Sequence, residues 1–263
     1  MNIIVCVKQV PGTNQVEVDP VTGVLKRDGV ASKLNPYDLF ALETAFTLAE
    51  KYGGSVKTVT MGPPQAKAAL EETLWMGADE AVILTDRKFG GADVAATSNT
   101  LAYGIRALGD WDLIICGKQT TDGDTAQVGP ELAERLRIEH AANVDRILDV
   151  KADSIVFDMD LDSILQTVEV KLPCLITISK DANTPRLPSY RRKKSVDCEK
   201  QIRALTFADL EGADENDFGL KGSPTGVEKI FPPEKNTSKV LYEGGGEELS
   251  EKLYDLLVAE KFV

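Results

Sequence analysis

Over its first 140 or so residues the chain alternates short β-branched apolar runs with amphipathic stretches of a dozen residues or more. That alternation restricts it to βαβ units, and so to an α/β fold with a mainly parallel sheet. Asn2 to Val7 is the first strand; no basic residue precedes its apolar run, so it is not read as a signal peptide. Lys8 to Asn14 is a loop broken by Pro11 and Gly12, and Val16 to Lys26 alternates about a Pro-Val-Thr-Gly turn, as a surface hairpin does. Asn35-Pro36 opens a helix that runs to Gly53, with Leu39, Leu42, Ala45, Phe46 and Ala49 on one face. Strands follow at Val56 to Met61, Ala81 to Leu84 and Leu113 to Cys116. They are separated by helices from Gly62-Pro63-Pro64 to Gly77 and from Asp93 to Leu108.

After residue 140 the rhythm changes. Val144 to Val150, Ser154 to Met159 and Leu165 to Leu172 are short runs with polar breaks, expected as antiparallel edge strands. Leu175 to Ile178 is apolar enough to rejoin the main sheet. The last 80 residues differ again: Pro185 and Pro188 break the chain, Arg191 to Lys194 is its strongest basic run, and residues 211–247 lack periodicity. Glu247 to Glu260 then places Leu249, Leu253, Leu256 and Leu257 on one helical face. A long irregular segment ending in an apolar helix is expected to embrace a partner, a flexible tail being the alternative. Residues 1–182 are thus read as an α/β nucleotide-binding domain, and 183–263 as a C-terminal arm and partner-binding segment.

Composition removes several classes of function. The 263 residues carry a net charge of −12, which disfavours nucleic acid as a ligand. No apolar run is long enough for a membrane span. Cys6, Cys116, Cys174 and Cys198 are far apart and His140 is the only histidine, so a zinc site is not expected. The first three cysteines lie in or beside predicted strands, as buried thiols of a cytoplasmic protein do. His140 is read as a surface or interface residue. No nucleophile elbow and no acid–base carboxylate pair stands out, so any catalysis depends on a cofactor.

The loop Gly117 to Gly129 is where chemistry concentrates. It joins a buried strand to a helix bearing Leu132 and Leu136, the layout in which α/β proteins hold nucleotides, although neither GxGxxG nor GxxxxGK[ST] is present. Gly117, Gly123 and Gly129 permit close backbone approach. Thr120, Thr121 and Thr125 offer hydroxyls. Asp124 and Gln127 have the spacing of a capping box, which Pro130 complicates. The helix either begins nearer Gly129 or has irregular first turns, and both versions leave N–H groups for a phosphate. Asp122 and Asp124 are poor phosphate neighbours and better suited to capping or to ribose hydroxyls. Lys8 to Gly12, Gly62 to Pro64 and the helix start at Asn35 belong to the same end of the sheet. Asn35 is either a cap or part of the site, and Lys8 either a solvated charge or part of it.

CVKQVP, LNPYDLFALETA, TMGPPQAKAAL, LWMGADEAVILTD, CGKQTTDGDTAQVGPELAERL and VKLPCLITI occur in the order found in the beta subunit of electron-transferring flavoproteins. The chain resembles that family along nearly its whole length. The resemblance implies a doubly wound, mainly parallel sheet like that of the adenine nucleotide alpha-hydrolases, with added antiparallel strands and an extended C-terminal arm. It implies a heterodimer with an alpha subunit, which the arm wraps. By motif it assigns nucleotide binding to Cys6, Lys8, Asn35, Tyr37, Asp38, Met61, Gly117, Lys118, Gln119, Thr120, Thr121, Asp122, Gly123, Asp124, Thr125, Ala126, Gln127 and Val128. Leu187 to Lys194 lies where family members carry the loop that recognises partner dehydrogenases. One branch of the family holds structural AMP in this subunit. The other holds a second FAD and bifurcates electrons from NADH to ferredoxin or flavodoxin and, through the alpha-subunit FAD, to an acyl-CoA dehydrogenase-like or other flavin dehydrogenase. Gly123, where the AMP branch tends to carry an acidic residue, together with the less polar run after Asp124 and Gly12 in VPG, leans to FAD.

Overall fold

The computed structural model describes residues 1–12, 32–228 and 239–263; the hairpin expected at Val16 to Lys26 lies outside the described residues. The main sheet begins with β1 (Asn2–Cys6), whose side chains alternate between two apolar layers. Ile3 and Val5 face Leu42, Phe46, Leu70 and Leu74, contributed by α1 (Pro36–Tyr52) and α2 (Lys67–Met76). Ile4 and Cys6 face Leu101, Ile105, Leu132 and Ala133, contributed by α3 (Val94–Arg106) and α4 (Val128–Leu136). A strand buried on both faces needs an unbroken apolar run, and NIIVC supplies one.

From β1 the chain winds outward through β4 (Ser55–Met61) to β5 (Glu80–Leu84), each parallel to its neighbour. It then crosses by α3 to β6 (Leu113–Gly117), which lies against the opposite edge of β1, also in parallel. The winding therefore reverses between β1 and β6. Beyond β6 come β10 (Cys174–Ile178) and β7 (Glu139–Val150), and then β8 (Ser154–Asp160) and β9 (Leu165–Lys171) as an antiparallel edge. The doubly wound, mainly parallel sheet, its added antiparallel strands and the return of the 175–178 run to the sheet all agree with the sequence reading.

Several elements were not foreseen. Gln9–Pro11 (β2), expected as loop, pairs antiparallel with Ser32–Leu34 (β3) in a two-stranded ribbon. Strand β7 starts earlier than its apolar run: its first residues pair with β10, and Asn143, at φ 59°, marks the irregularity from which β7 turns to β8. Ile202–Leu205 (β11) forms the other edge of the sheet, against β5; it comes from the segment read as arm.

More of that segment packs on the core. Two short helices, α5 (Tyr190–Ser195) and α6 (Cys198–Gln201), precede β11. Phe218 is buried among Phe89, Phe207 and Tyr103, with ring centroids 5.3–5.6 Å away. Asp93 caps α3 by accepting from the Ala96 N–H, and with its other oxygen accepts from the N–H and hydroxyl of Thr225. The last helix, α7 (Gly246–Ala259), buries none of its residues and exposes Leu253, Tyr254, Leu256 and Val258. Among the described residues no helix is long and apolar enough to cross a membrane. Phe218→Ala should destabilise the chain by about 3–5 kcal/mol, the usual loss for a buried aromatic, measured by urea unfolding; a loss under about 1 kcal/mol would show that the aromatic cluster does not anchor this segment.

Candidate functional site

In doubly wound sheets ligands bind beyond the strands' carboxyl ends, where the winding reverses. Here that crevice lies past Cys6 and Gly117, with α1 starting on one side of the sheet and α4 on the other. The amide of Asn35 holds it together. Asn35 is 0% exposed; its Nδ2 donates to Asp38 Oδ1 (2.8 Å) and to the Gln119 carbonyl (2.9 Å), and its Oδ1 accepts from the Thr121 N–H (3.3 Å). It sits at the N-terminus of α1 but makes no side-chain cap, so the capping alternative is corrected: besides Asp38, its partners Gln119 and Thr121 lie across the crevice.

Asp38 accepts from the Lys8 N–H at 2.7 Å as well. It is only 4% exposed, and burial pushes its carboxyl up to about 7, against the lowering pull of the Lys8 N–H, the Asn35 amide and the Lys8 charge. Gly117 makes this packing possible, since a Cβ there would stand 2.5 Å from Asp38 Oδ1 and 2.8 Å from the Tyr37 carbonyl carbon.

The loop after β6 leaves the sheet at Lys118, whose N–H donates to the Ile178 carbonyl of β10. Its Gln119 side chain reaches the Tyr37 hydroxyl (3.2 Å) and the Asp124 carboxylate. Asp122 accepts from Lys8 Nζ (2.8 Å) and from the Gly123 N–H (2.8 Å). Partial burial raises the Asp122 carboxyl, but the hydrogen bond and charge of Lys8 outweigh it and hold it below the usual range. Asp124 and Ala126 are left-handed, at φ 52° and 55°.

The capping box expected at Asp124 and Gln127 does not form. Asp124 is committed to Gln119, and Gln127 is itself the N-cap residue of α4, without a side-chain cap. Pro130 is then the third residue of α4, inside the first turn where a missing N–H costs nothing. Among the described residues, none accepts from the N–H groups of Thr125, Ala126, Gln127, Val128 and Gly129. Gly129 lets this turn press onto β10, where a Cβ would meet Thr177 Cγ2 at 2.6 Å.

The remaining predicted positions fall around this crevice. Cys6 is buried at the end of β1, in register with Cys116. The hydrogen bond that the Cys116 thiol makes to Cys6, together with burial, pushes that thiol well up, so it is a packing group, not a nucleophile. Met61 ends β4, one strand away from the reversal. His140 is exposed on β7. Sequence reasoning did not foresee the end of β10, which supports the loop through Ile178 and Thr177; the LITI run gave the strand but not its neighbour. It also missed the bond from Gln9 Nε2 to the Gln65 carbonyl, which ties the ribbon to the turn before α2.

The segment after β10 presents a second feature. Arg186 is clamped by Glu43 and Glu50 of α1, at 2.8 and 2.6 Å. Arg192 donates to the carbonyls of Leu74 and Ala78 at the carboxyl end of α2, both at 2.8 Å. Between them Leu187 and Tyr190 stand 86% and 73% exposed. One arginine of the basic run is therefore structural, whereas Arg191, Lys193 and Lys194 face outward.

Fold and crevice define a doubly wound α/β protein with donor-rich loops where that class takes its ligands. The electron transfer flavoprotein domain matches residues 22–209. The beta subunit of the electron transfer flavoprotein from Thermoanaerobacterium thermosaccharolyticum is 44% identical over 98% of each chain. Its counterpart from Clostridium acetobutylicum is 48% identical over 87% of each. Subunit CarD of the caffeyl-CoA reductase-Etf complex of Acetobacterium woodii is 44% identical over 94% of this chain and 91% of its own. The chain belongs to the electron transfer flavoprotein family, on its beta-subunit side.

The buried carboxyl gives a test of the site's electrostatics. Because Asp38 titrates near 7 in the folded chain and at an ordinary 3.8 otherwise, the native state binds the extra proton between those values, and its stability falls as pH rises through that window. Asp38→Asn removes this dependence. Its stability relative to the unsubstituted chain should therefore improve from pH 5 to pH 8 in urea unfolding. A difference that stays constant would show that Asp38 does not titrate there.

Proposed function

We propose that this chain is the nucleotide-binding subunit of a heterodimeric electron transfer flavoprotein, paired with an alpha subunit, and that its crevice holds FAD. The observation that carries the reading is the row of N–H groups from Thr125 to Gly129 at the start of α4, which have no acceptor among the described residues, in a loop shaped by Asn35. Such donors suit a diphosphate. Gly123 adds room: a Cβ built there would meet only Thr120 Oγ1, at 3.7 Å. The adenine end is directed toward Met61 and the turn at Asn35, the Asn35 side chain being already committed. Lys8 to Gly12 borders the crevice on the side where NADH docks.

FAD bound there supplies the redox chemistry: electrons taken from NADH part, one going to ferredoxin or flavodoxin and the other through the alpha-subunit FAD to a flavin dehydrogenase of the acyl-CoA dehydrogenase type. The protein binds and orients, with no side chain needed as acid or base. The name of CarD, a subunit of a reductase complex, supports a reductase or dehydrogenase as partner. Leu187 and Tyr190, raised on a loop anchored by Arg186 and Arg192, suit docking to it, with Arg191, Lys193 and Lys194 as its charged rim. The exposed apolar face of α7 suits the alpha subunit. Free cysteines, three of them buried, fit a cytoplasmic setting.

Nucleotide extraction from the purified heterodimer tests this directly. Two FAD per heterodimer are expected; one FAD with one AMP would replace the bifurcating role with an electron-transfer subunit that holds AMP structurally. Gly123→Asp, which the chain itself accommodates, should weaken FAD about tenfold more than AMP by adding a charge beside the second phosphate. Equal losses would show that Gly123 does not make that room.

A further inference from the structure

Lys8 and Asp122 follow the two strands that flank the reversal point, and their side chains meet across the crevice at 2.8 Å. The backbone under each is fixed. The Lys8 N–H is held by Asp38, and the Thr121 N–H, beside Asp122, by Asn35. The side chains remain 45% and 26% exposed, and an ion pair this open to water contributes little and exchanges readily. Asp122 does not depend on Lys8 alone, because it also accepts from the Gly123 N–H. Asp124 is differently placed, its carboxylate being taken up by Gln119. A phosphate group offers an ammonium more charge and more acceptor oxygens than a carboxylate does.

We propose that Asp122 is an internal competitor for Lys8: a ligand phosphate entering the crevice displaces it, and the strength of this competition sets how far the crevice prefers phosphorylated nucleosides over unphosphorylated ones. The proposal rests on the reading of the crevice as a nucleotide site. It gives Lys8 two states, closed on Asp122 or turned to the ligand, and makes Asp122 a determinant of specificity that need not touch the ligand.

The test is a double-mutant cycle on the full chain, purified with its alpha subunit and stripped of nucleotide. Adenosine and ADP are titrated by calorimetry at low salt. With Lys8 present, Asp122→Asn should raise the ratio of ADP to adenosine affinity about three- to tenfold. In a Lys8→Met background the same substitution should raise it less than about twofold, and in a Lys8→Arg background, where the charge is kept, the gain should return. Plain repulsion between Asp122 and phosphate predicts the reverse order, because Asp122 repels most when Lys8 is gone, and that result would overturn the competition. If the unsubstituted chain binds both ligands and Asp122→Asn leaves the ratio unchanged, the competition fails while the nucleotide site stands. If it binds neither, both fall.

Discussion

The carboxamide of Asn35 is the joint on which the crevice depends. It follows β1 and the ribbon, at the start of α1, and it meets the loop after β6, so it ties together the two directions in which the sheet is wound. The Asn35 side of each hydrogen bond is out of contact with water, where an amide or carbonyl left unpaired would cost about 1–3 kcal/mol. The bonds therefore specify one loop conformation instead of merely permitting it. Asp38 extends the joint to the end of β1, and Gly117 clears the space in which Asp38 sits. Removing any one of these groups would disturb the other two, although Gly117 lies 79 residues beyond Asp38 and 82 beyond Asn35 in sequence.

The charges around that joint are arranged so that an acidic loop can still face an anion. Asp122 and Asp124 would repel a phosphate if left bare, and neither is: one is paired with Lys8, the other with Gln119. What the loop leaves without an acceptor among the described residues is the backbone N–H of residues 125–129. Donors of this kind are fixed in place by the fold and carry no mobile side chain, so they need little reorganisation when an anion arrives. The net charge of −12 does not by itself exclude an anion there, because Asp122 also accepts from the Gly123 N–H and Asp124 is taken up by Gln119.

The order of strands and helices was legible because it is written locally. NIIVC is apolar throughout, as a doubly covered strand must be; Pro36 and Gly77 stand at helix ends; and Leu253 and Leu256 mark the face of α7. The place of the loop beyond β6 was legible in its glycines and threonines. The failures share one cause, partners distant in sequence. Asn35 looks like a cap until Gln119 and Thr121 are beside it. Asp124 and Gln127 have capping-box spacing, but Gln119 takes the carboxylate and the backbone at Asp124 turns left-handed. IRAL is too short and too polar to announce a strand, and becomes β11 only because β5 offers an open edge. The start of β7 is polar and pairs because β10 lies alongside it.

Asp93 has a consequence for where the chain can be cut. One of its oxygens holds the first turn of α3, and the other holds Thr225, while Phe218 a few residues earlier fills the layer beneath α3. The body therefore reaches at least as far as Thr225. Cutting the chain short of that residue takes away part of the fold, and trimming back to the end of the sheet would expose the apolar side of α3 to water.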